Sequence, residues 1–457
     1  MNRRKFVQLT GGGAAALALS HSSVLSQPTH PNVLFILMDD MNDWPGFLGG
    51  HPQAITPNID ALANSGVQFT NAHVNSTMCI PSRCSMFTSL RPSSTGIYAN
   101  HQDWEDYLDD PLWMPVNFSQ NGYNTFRAGK FFHHPLNDLW TETDGPHQSS
   151  RPPDYPVDGM PWSEGFYDFF DFSPVDVPDG ATRQGRWSNW IIEKLQQAHS
   201  QPFFMALGLT ATHYPFNVPR KYFEPFPLES IVLPEMPEDE LDDIPDLPRT
   251  LYSDLPHHDN LVKQQQRRKA VQAYLATLYF VDTLLGRVLD ALDSSPYAND
   301  TIVAMTSDHA LHFGEKRHWR KFALWREDTR VPLILRAPGV TQAGGIHTHA
   351  TEVLDLYPTF ADLCNLSPIP GAEGVSLRNR LEDPSTPGTR PALITASYLR
   401  HAIVDDRWRY IRYEDDTEEL YDHDVDPREH TNLANDPGHQ AIKASLAGWL
   451  PDLNVEP

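Results

Sequence analysis

The apolar positions of the chain begin with a short continuous run at residues 33–38, which is typical of a strand buried on both faces of a parallel sheet. The run ends abruptly in two aspartates, Asp39 and Asp40. Thr56 and Pro57 then predict the N-cap and the first residue of a helix. Further strands are predicted at residues 67–69, 124–128, Phe203–Leu209, 302–306 and 331–335. Strands that alternate with helices indicate an α/β fold.

The strongest helical periodicity lies at residues 267–292, where apolar side chains recur every three or four positions and predict one buried face. The segments 140–178 and 223–258 are crowded with proline and acidic residues. Both are predicted to be long surface loops, which in an enzyme often form the rim of the pocket.

The last quarter of the chain has a different pattern. After a proline-rich break near 368–391, short apolar runs separated by acidic turns predict a small antiparallel sheet, and residues 440–450 predict a final helix. We therefore expect a large mixed or parallel sheet flanked by helices at 27–367. A smaller α+β subdomain with the antiparallel sheet is expected at 368–457.

The first 26 residues have the order of an export signal. Arg3, Arg4 and Lys5 precede a weakly apolar stretch rich in glycine and alanine, which is typical of a twin-arginine signal peptide cleaved near Ser20 or Ser26. The alternative is a frayed basic N-terminus of a cytosolic protein. A periplasmic or secreted protein is the preferred interpretation, and no apolar run reaches the roughly 20 residues of a membrane span.

Charge and cysteine content limit the partners. The formal charge is −24, which argues against nucleic acid and anionic membranes as partners. An anionic substrate would have to be held by a local cluster of cationic side chains and metal. Of the three cysteines, Cys84 and Cys364 lie in apolar surroundings and are expected in the core, whereas Cys79 does not share that setting.

Polar side chains stand at the ends of three predicted strands. Asp39 and Asp40 follow the first strand, Asp308 and His309 follow residues 302–306, and His213 comes shortly after Phe203–Leu209. Ligands of open α/β sheets gather at the carboxyl ends of the strands. Adjacent buried carboxylates need a cation, and oxygen ligands suit calcium or magnesium, although a lone Asp-Asp pair is more often a turn or a helix cap.

Cys79 precedes a helix-forming run, so we expect it at or near a helix N-terminus, where exposed N–H groups favour an anion. The alternative is an ordinary proline-started helix with a buried thiol. The segment Cys79-Ile80-Pro81-Ser82-Arg83 resembles the signature of the sulfatase family, in which the cysteine is oxidised to formylglycine before the chain folds.

The resemblance extends over nearly the whole mature chain. Ordered motifs that match the family include Thr88-Ser89-Leu90-Arg91-Pro92, Gly129-Lys130, His213-Tyr214-Pro215-Phe216, Ser307-Asp308-His309, His318-Trp319-Arg320-Lys321 and Glu419-Leu420-Tyr421-Asp422. The chain looks most similar to the iduronate-2-sulfatase branch, partly because Lys130 is followed by His133. The resemblance implies an alkaline-phosphatase-like fold with a smaller C-terminal sheet domain.

The resemblance also implies a mechanism and a set of site residues. An aldehyde hydrate at residue 79 has two hydroxyls on one carbon; one attacks sulfur and the other then expels sulfate. The implied calcium ligands are Asp39, Asp40, Asp308, His309 and the modified Cys79, with His309 the weakest because calcium prefers oxygen. The implied catalytic residues are Arg83 and His133, which contact the hydrate, Lys130 and Lys321, which hold sulfate oxygens, and His213, which protonates the leaving alkoxide at a pKa near the working pH.

The expected function is hydrolysis of a sulfate ester on a sulfated sugar or polysaccharide fragment, with a 2-O-sulfated uronate as one candidate. A formylglycine-generating enzyme is the expected partner in maturation. The alternatives are a formylglycine-dependent phosphonate or phosphodiester hydrolase and a non-catalytic secreted glycan-binding protein. His312 and His318 lie beside assigned residues and are candidates for contact with substrate.

Overall fold

The computed structural model describes residues 30–133, 136–144, 172–253 and 256–457. The predicted signal peptide at 1–26 lies outside the described residues, as does most of the predicted loop at 140–178. None of the helices in the described ranges combines the length and the apolar character that a membrane span requires.

Fourteen strands occur in the described residues. They are β1 Asn32–Met38, β2 Val67–Phe69, β3 Ala72–His73, β4 Asn124–Gly129, β5 Glu142–Thr143, β6 Phe203–Leu209, β7 Thr301–Ser307, β8 Leu333–Arg336, β9 Gly345–His347, β10 Thr351–Glu352, β11 Ala392–Ser397, β12 Arg400–Val404, β13 Trp408–Arg412 and β14 Glu418–Asp422. Eight of them form one large sheet in the order β5-β4-β6-β1-β7-β8-β2-β9, and β11 to β14 form a four-stranded antiparallel sheet.

The helices cover both faces of the large sheet and one face of the small sheet. They are α1 Pro57–Ser65, α2 Cys79–Thr88, α3 Pro92–Thr95, α4 Met114–Gln120, α5 Arg183–Leu195, α6 Asp246–Pro248, α7 Pro256–Lys263, α8 Arg267–Asp293, α9 Arg326–Thr329, α10 Leu356–Leu363, α11 Arg378–Glu382 and α12 Gln440–Ala447. The apolar stripe of α8 packs with α1 and α5 on one face, and α2, α4 and α10 pack on the other. The predicted final helix is α12, and its Leu446 packs against the small sheet.

The centre of the large sheet fixes where the strand ends meet. β1 pairs in parallel with β6 and β7, and Met38 lies in register with Leu209 on one side and Ser307 on the other. The residues that follow these three strands therefore emerge at the same edge. The predicted large mixed sheet and small C-terminal antiparallel sheet are confirmed.

The capping of α1 differs from the prediction. Thr56 does stand at the N-cap, but its hydroxyl makes no capping hydrogen bond and instead accepts from the amide of Gly46 at 2.8 Å. The first-turn amides of Asn58 and Ile59 donate to the carboxylate of Asp282 on α8, at 2.9 and 2.8 Å. A tertiary contact therefore replaces the local cap, because Asp282 from α8 reaches the orphan N–H groups of α1.

Candidate active site

Five side chains from three regions of the chain converge at the carboxyl edge of β1 and β7. Each offers a ligand atom to a group in which all such atoms lie within 4.8 Å of one another, and each is at most 2% exposed. The five residues are Asp39, Asp40, Cys79, Asp308 and His309. Cys79 is the first residue of α2, as the sequence predicted, so the N-terminus of that helix points at the cluster.

The backbone after β1 is held in an unusual turn. Asp40 has a φ of 64°, in the left-handed region that a non-glycine residue adopts only when its surroundings impose it. Its amide donates to Oδ1 of Asp308 at 3.1 Å, and the hydroxyl of Tyr274 donates to its carbonyl oxygen at 3.1 Å. These contacts turn the side chain of Asp40 toward Asp308 and His309.

The donor atoms of the cluster suit a hard divalent cation. Among the described residues, Oδ2 of Asp40 is a buried carboxylate oxygen without a hydrogen-bond partner. Burial raises the pKa of Asp40, an effect that Lys321 opposes without cancelling it. Burial lowers the pKa of His309, so its imidazole is neutral and keeps a lone pair. Three carboxylates and one neutral imidazole could therefore hold a divalent metal ion.

Arg83 braces two of the carboxylates. Its Nε donates to Oδ2 of Asp308 at 2.9 Å, and its Nη2 donates to Oδ1 of Asp39 at 3.0 Å. Nη1 donates to the carbonyl oxygens of Lys130 and Phe131. Burial alone would lower the pKa of Arg83, but Asp308 and Asp39 outweigh it and raise the pKa above its usual value. These contacts hold the carboxylates of Asp39 and Asp308 in fixed positions on one guanidinium group. The expected contact of Arg83 with a residue-79 hydrate stays a prediction.

Two lysines flank the sulfur of Cys79. Nζ of Lys130 donates to both oxygens of Asp39, at 3.0 and 2.8 Å, and lies 3.8 Å from the sulfur. Nζ of Lys321 donates to Oδ1 of Asp40 at 2.9 Å and lies 3.3 Å from the sulfur. Burial opposes the charge of both lysines, but the aspartates outweigh it, so both pKa values are raised and both side chains are cationic.

Two glycines let Lys130 approach Asp39. Gly129 ends β4 with a φ of 81°, and a Cβ at that position would lie 2.0 Å from the carbonyl oxygen of Gly208. A Cβ at Gly208 would lie 2.1 Å from the carbonyl oxygen of Lys130. Only glycine permits this close approach of β4 to β6. Sequence reasoning noted Gly129 in a motif but missed Gly208, which reads as part of an ordinary buried strand.

Sequence reasoning also missed several residues whose hydroxyl groups bond to the backbone of the cluster residues. Tyr274 counted only as one position in the apolar stripe of α8, yet its hydroxyl contacts the turn at Asp40. The hydroxyl of Thr212 donates to the carbonyl oxygen of Asp39 at 2.7 Å, and that of Ser82 donates to the carbonyl oxygen of Asp308. The place of Ser82 in the signature motif is the one signal that could have identified it.

His213 borders the cluster on its open side. Its Nε2 lies 3.8 Å from Oδ2 of Asp40, its Nδ1 donates to the carbonyl oxygen of Tyr214 at 2.5 Å, and 34% of its side chain is exposed. Burial, followed by the charge of Lys321, lowers the pKa of His213 to about 3. The expectation of a pKa near the working pH is therefore wrong for the protein without substrate, where the ring is neutral.

Three other histidines lie further out. His133 is exposed and lines a small cavity together with Ile80, Arg83 and Phe132, beside the first turn of α2. His312 and His318 are 0% and 1% exposed, so the interpretation of these two as substrate contacts is wrong. The other predicted site residues belong to one network of contacts around Cys79. His133 borders that network from the cavity.

Comparison with known proteins identifies the group to which the site belongs. The family model named Sulfatase matches residues 31–366, and the model for the C-terminal region of N-sulphoglucosamine sulphohydrolase matches residues 314–456. The chain belongs to the sulfatase family. It is therefore a hydrolase of sulfate esters.

Relatives of this sulfatase span nearly the whole chain. A protein named Sulfatase from Formosa agariphila is 36% identical over 93% of this chain and 87% of its own length. The iduronate 2-sulfatase of Homo sapiens is 30% identical over 85% of this chain and 84% of its own. The crystal structure of a phosphonate monoester hydrolase from Agrobacterium radiobacter superposes with a TM-score of 0.75 over 92% of this chain and 94% of the other. At 22% identity, that likeness concerns the fold alone, and the expected alkaline-phosphatase-like fold is confirmed.

Proposed function

We propose that this sulfatase removes sulfate from a sulfated sugar or polysaccharide fragment, using a formylglycine formed from Cys79 and a bound calcium ion. The observation that carries the proposal is the position of Cys79. Its sulfur lies at a helix N-terminus, 3.3 Å from both Nε2 of His309 and Nζ of Lys321, within a cluster of three carboxylates. That is the place where a nucleophile could meet a metal and an anionic ester together.

The unmodified thiol is a poor nucleophile in this setting. Burial raises the pKa of Cys79, and the nearby lysines do not reverse the shift. The thiolate is the reactive form of cysteine, so a protonated buried thiol supports conversion to another group rather than direct use. An aldehyde hydrate would supply one hydroxyl to attack sulfur and a second to release the sulfate.

The burial of Cys79 also bears on maturation. At 2% exposure the side chain is out of reach of another enzyme in the folded protein. A formylglycine-generating enzyme would therefore have to modify Cys79 before the chain folds. Export through a twin-arginine signal in residues 1–26 is part of the same proposal.

The cation would be held by Asp39, Asp40, Asp308 and His309. When bound, calcium supplies Lewis acidity, which lowers the pKa of the attacking hydroxyl and offsets charge on the transferring group. The charges of the site support this assignment. Three carboxylates face three cationic side chains, so a divalent ion would leave two net positive charges to attract a singly charged sulfate ester.

Side chains of the protein would hold the sulfate group and supply the proton for the leaving oxygen. Lys130 and Lys321 present ammonium groups on two sides of residue 79 and would hold sulfate oxygens in a fixed electrostatic cradle. Nδ1 of His213 donates to a carbonyl oxygen, so Nε2 is the nitrogen that would carry a proton to the leaving alkoxide. A sulfate group beside the ring would raise the pKa of His213, because a nearby anion favours the cationic imidazole.

Similarity to known sulfatases supports the proposed substrate class. Identity to iduronate 2-sulfatase over most of the chain supports a sulfated sugar, with a 2-O-sulfated uronate as the proposed substrate. A phosphate monoester carries nearly two negative charges at neutral pH and a sulfate monoester one. The net charge of the site with its cation does not by itself favour the singly charged ester, so the expectation rests on similarity to sulfatases: aryl sulfate should be hydrolysed with a higher kcat/KM than aryl phosphate or an aryl phosphonate ester.

The test uses full-length protein produced together with a formylglycine-generating enzyme. Mass spectrometry of the peptide that contains residue 79 measures its conversion, and release of sulfate from a panel of defined sulfated oligosaccharides identifies the substrate. Cys79→Ala is the control and should release no sulfate. Full activity from protein in which residue 79 remains a thiol would overturn the proposal. Binding of the oligosaccharides that is the same in Cys79→Ala and in the wild type, with no release of sulfate from either, would favour a glycan-binding protein.

A further inference from the structure

A second buried cluster of histidine and aspartate lies directly behind Lys321. His312, His318 and Asp328 are 0%, 1% and 0% exposed, and their ligand-type atoms lie within 4.8 Å of one another. The sequence separates them from Cys79 by more than 200 residues, and none of them faces the open side of the site. The cluster is therefore a candidate either for a second metal site or for support of Lys321.

The hydrogen bonds favour support of Lys321 over a metal site. Nδ1 of His318 faces the carbonyl oxygen of Tyr252 at 2.9 Å, and Nε2 faces the carbonyl oxygen of Lys321 at 3.0 Å. Nδ1 of His312 lies 2.7 Å from Oδ1 of Asp328. Carbonyl oxygens only accept, and one stands in front of each ring nitrogen, so the place that a metal ion would take beside either nitrogen of His318 is filled. The neutral ring donates from one nitrogen, and its Nε2–H form bonds to the carbonyl oxygen of Lys321. Nε2 of His312 has no hydrogen-bond partner among the described residues and lies 3.8 Å from Oε2 of Glu327, whereas the other nitrogens and the carboxylate of the cluster bond to one another and to the backbone.

Those bonds fall on both sides of a strained residue. Phe322 has a φ of 100°, a conformation that side-chain-bearing residues adopt only when their surroundings impose it. The peptide before Phe322 is fixed because its carbonyl, that of Lys321, bonds to His318. The peptide after Phe322 is fixed because the amide of Ala323 donates to Oδ2 of Asp328 at 2.8 Å.

The same cluster also connects this turn to the metal-ligand edge of the sheet. The amide of Ala310, the residue after His309, donates to the carbonyl oxygen of Asp328 at 3.0 Å. The amide of His312 donates to the carbonyl oxygen of Arg320 at 2.9 Å. The backbone that follows His309 and the backbone that carries Lys321 are therefore joined through the same few groups.

We propose that His318 and Asp328 are positioning residues that fix the backbone on either side of Phe322 and so direct Nζ of Lys321 at residue 79. The inference rests on the proposed function, in which Lys321 holds a sulfate oxygen. Neither residue touches substrate. Their effect is to hold the ammonium group 2.9 Å from Oδ1 of Asp40 and 3.3 Å from the sulfur of Cys79.

Two substitutions of His318 separate its two hydrogen bonds. The amide nitrogen of glutamine reaches the position of Nε2 and can donate to the carbonyl of Lys321, whereas that of asparagine reaches the position of Nδ1 and can donate to the carbonyl of Tyr252. We expect His318→Gln to retain kcat within about threefold and His318→Asn to lose about 10- to 100-fold, the range seen when a supporting residue behind a site is removed. A general loss of packing would affect both variants alike.

A double-mutant cycle with Lys321→Ala tests whether the effect passes through Lys321. We expect His318→Asn to cost nothing further, within about threefold, once Lys321 is absent, because coupled positions are not additive. The same cycle with Asp328→Asn should behave in the same way, and it replaces the first cycle if His318→Asn does not fold. His347→Phe is the control: this histidine is also buried and bonds to the carbonyl of Pro384, but it lies on β9, and kcat per folded molecule should not change.

Several outcomes would overturn the proposal. Equal losses in His318→Gln and His318→Asn, or losses that multiply with Lys321→Ala, would show a general structural role. A second metal equivalent in the wild type that is missing from both His318→Asn and Asp328→Asn would show a metal site. Full activity in Lys321→Ala would contradict the proposed function itself. A large loss of activity in Lys321→Ala with no loss in His318→Asn would contradict only this inference.

Discussion

The backbone amide of Asp40 donates to Oδ1 of Asp308 across 3.1 Å, where two neighbouring parallel strands end. The same carboxylate accepts from the amide of His309 at 3.0 Å and, through Oδ2, from Nε of Arg83 at 2.9 Å. One side chain thus fixes the left-handed turn of Asp40, the position of His309 and the brace of Arg83. Its loss should disturb the metal site and the fold together.

We therefore expect Asp308→Asn to weaken calcium binding by about 10- to 100-fold and to lower kcat/KM by at least as much. The amide group cannot accept from Arg83 at the nitrogen end, so a buried cation loses one partner. Removing a partner from a buried ion pair costs about 3–5 kcal/mol, and the retained contact of Arg83 with Asp39 should keep the loss at or below that range. Calcium titration and thermal unfolding measure the two effects.

Asp300→Asn provides the matched control. Asp300 immediately precedes β7 at its opposite end and accepts from the side chain of Asn32 at 3.1 Å. The same chemical change should leave calcium binding and kcat unchanged there. Calcium affinity in Asp308→Asn equal to that of the wild type would contradict the assignment of the ligand set.

Removal of calcium is the second prediction. Without the ion, Oδ2 of Asp40 is buried without a hydrogen-bond partner in the described residues, and the carboxylates face one another. Binding to the folded state alone stabilises it by about 2.7 kcal/mol at a free ion concentration 100 times the Kd. The melting temperature should therefore rise with calcium and fall on chelation, and Asp40→Asn should lose most of this response. A melting temperature independent of calcium and magnesium would rule the site out.

The meeting of Asp39, Asp40, Asp308 and His309 could be predicted from the sequence. Each follows a continuous apolar run, and parallel strands bring their carboxyl ends to one edge, so strand pattern alone placed these groups together. The helix that begins at Cys79 could also be predicted from the sequence, because its proline-containing first turn follows a polar segment.

Lys321 and Gly208 show where the pattern gave no information. Lys321 lies in irregular backbone next to a residue with a φ of 100°, and its direction depends on tertiary hydrogen bonds that have no period in the sequence. It was identified by family resemblance only. Gly208 has the appearance of any small residue in a buried strand, and its role appears only when β4 is placed beside it. The failed cap at Thr56 has the same cause, since a carboxylate more than 200 residues away outcompetes the local hydroxyl.

The cap supplied by Asp282 leads to the third prediction, a pH dependence of stability. Burial raises the pKa of Asp282 from its ordinary value of 3.8 to about 6 in the folded protein. Between these values the unfolded chain binds fewer protons than the folded one, so stability falls as pH rises from about 4 to 6, by at most about 3 kcal/mol. Asp282→Asn should remove this part of the slope while its amide oxygen continues to accept from the amides of Asn58 and Ile59. Urea unfolding at pH 4, 5, 6 and 7 measures the difference, and parallel slopes in the variant and the wild type would contradict it.

The fourth prediction concerns His213 as the group that protonates the leaving oxygen. A sugar hydroxyl is a poor leaving group and needs a proton, whereas nitrophenolate leaves without one, so His213→Ala should lower kcat by about 10²- to 10⁴-fold on a sugar sulfate and by far less on nitrophenyl sulfate. Lys130→Ala is the comparison, because a lost sulfate contact should slow both substrates to a similar extent. In the wild type, kcat on the sugar sulfate should fall at high pH as the substrate-bound His213 loses its proton, and His213→Ala should lack that alkaline decline. Equal losses on the two substrates in His213→Ala would mean that His213 holds the sulfate group and that another group supplies the proton.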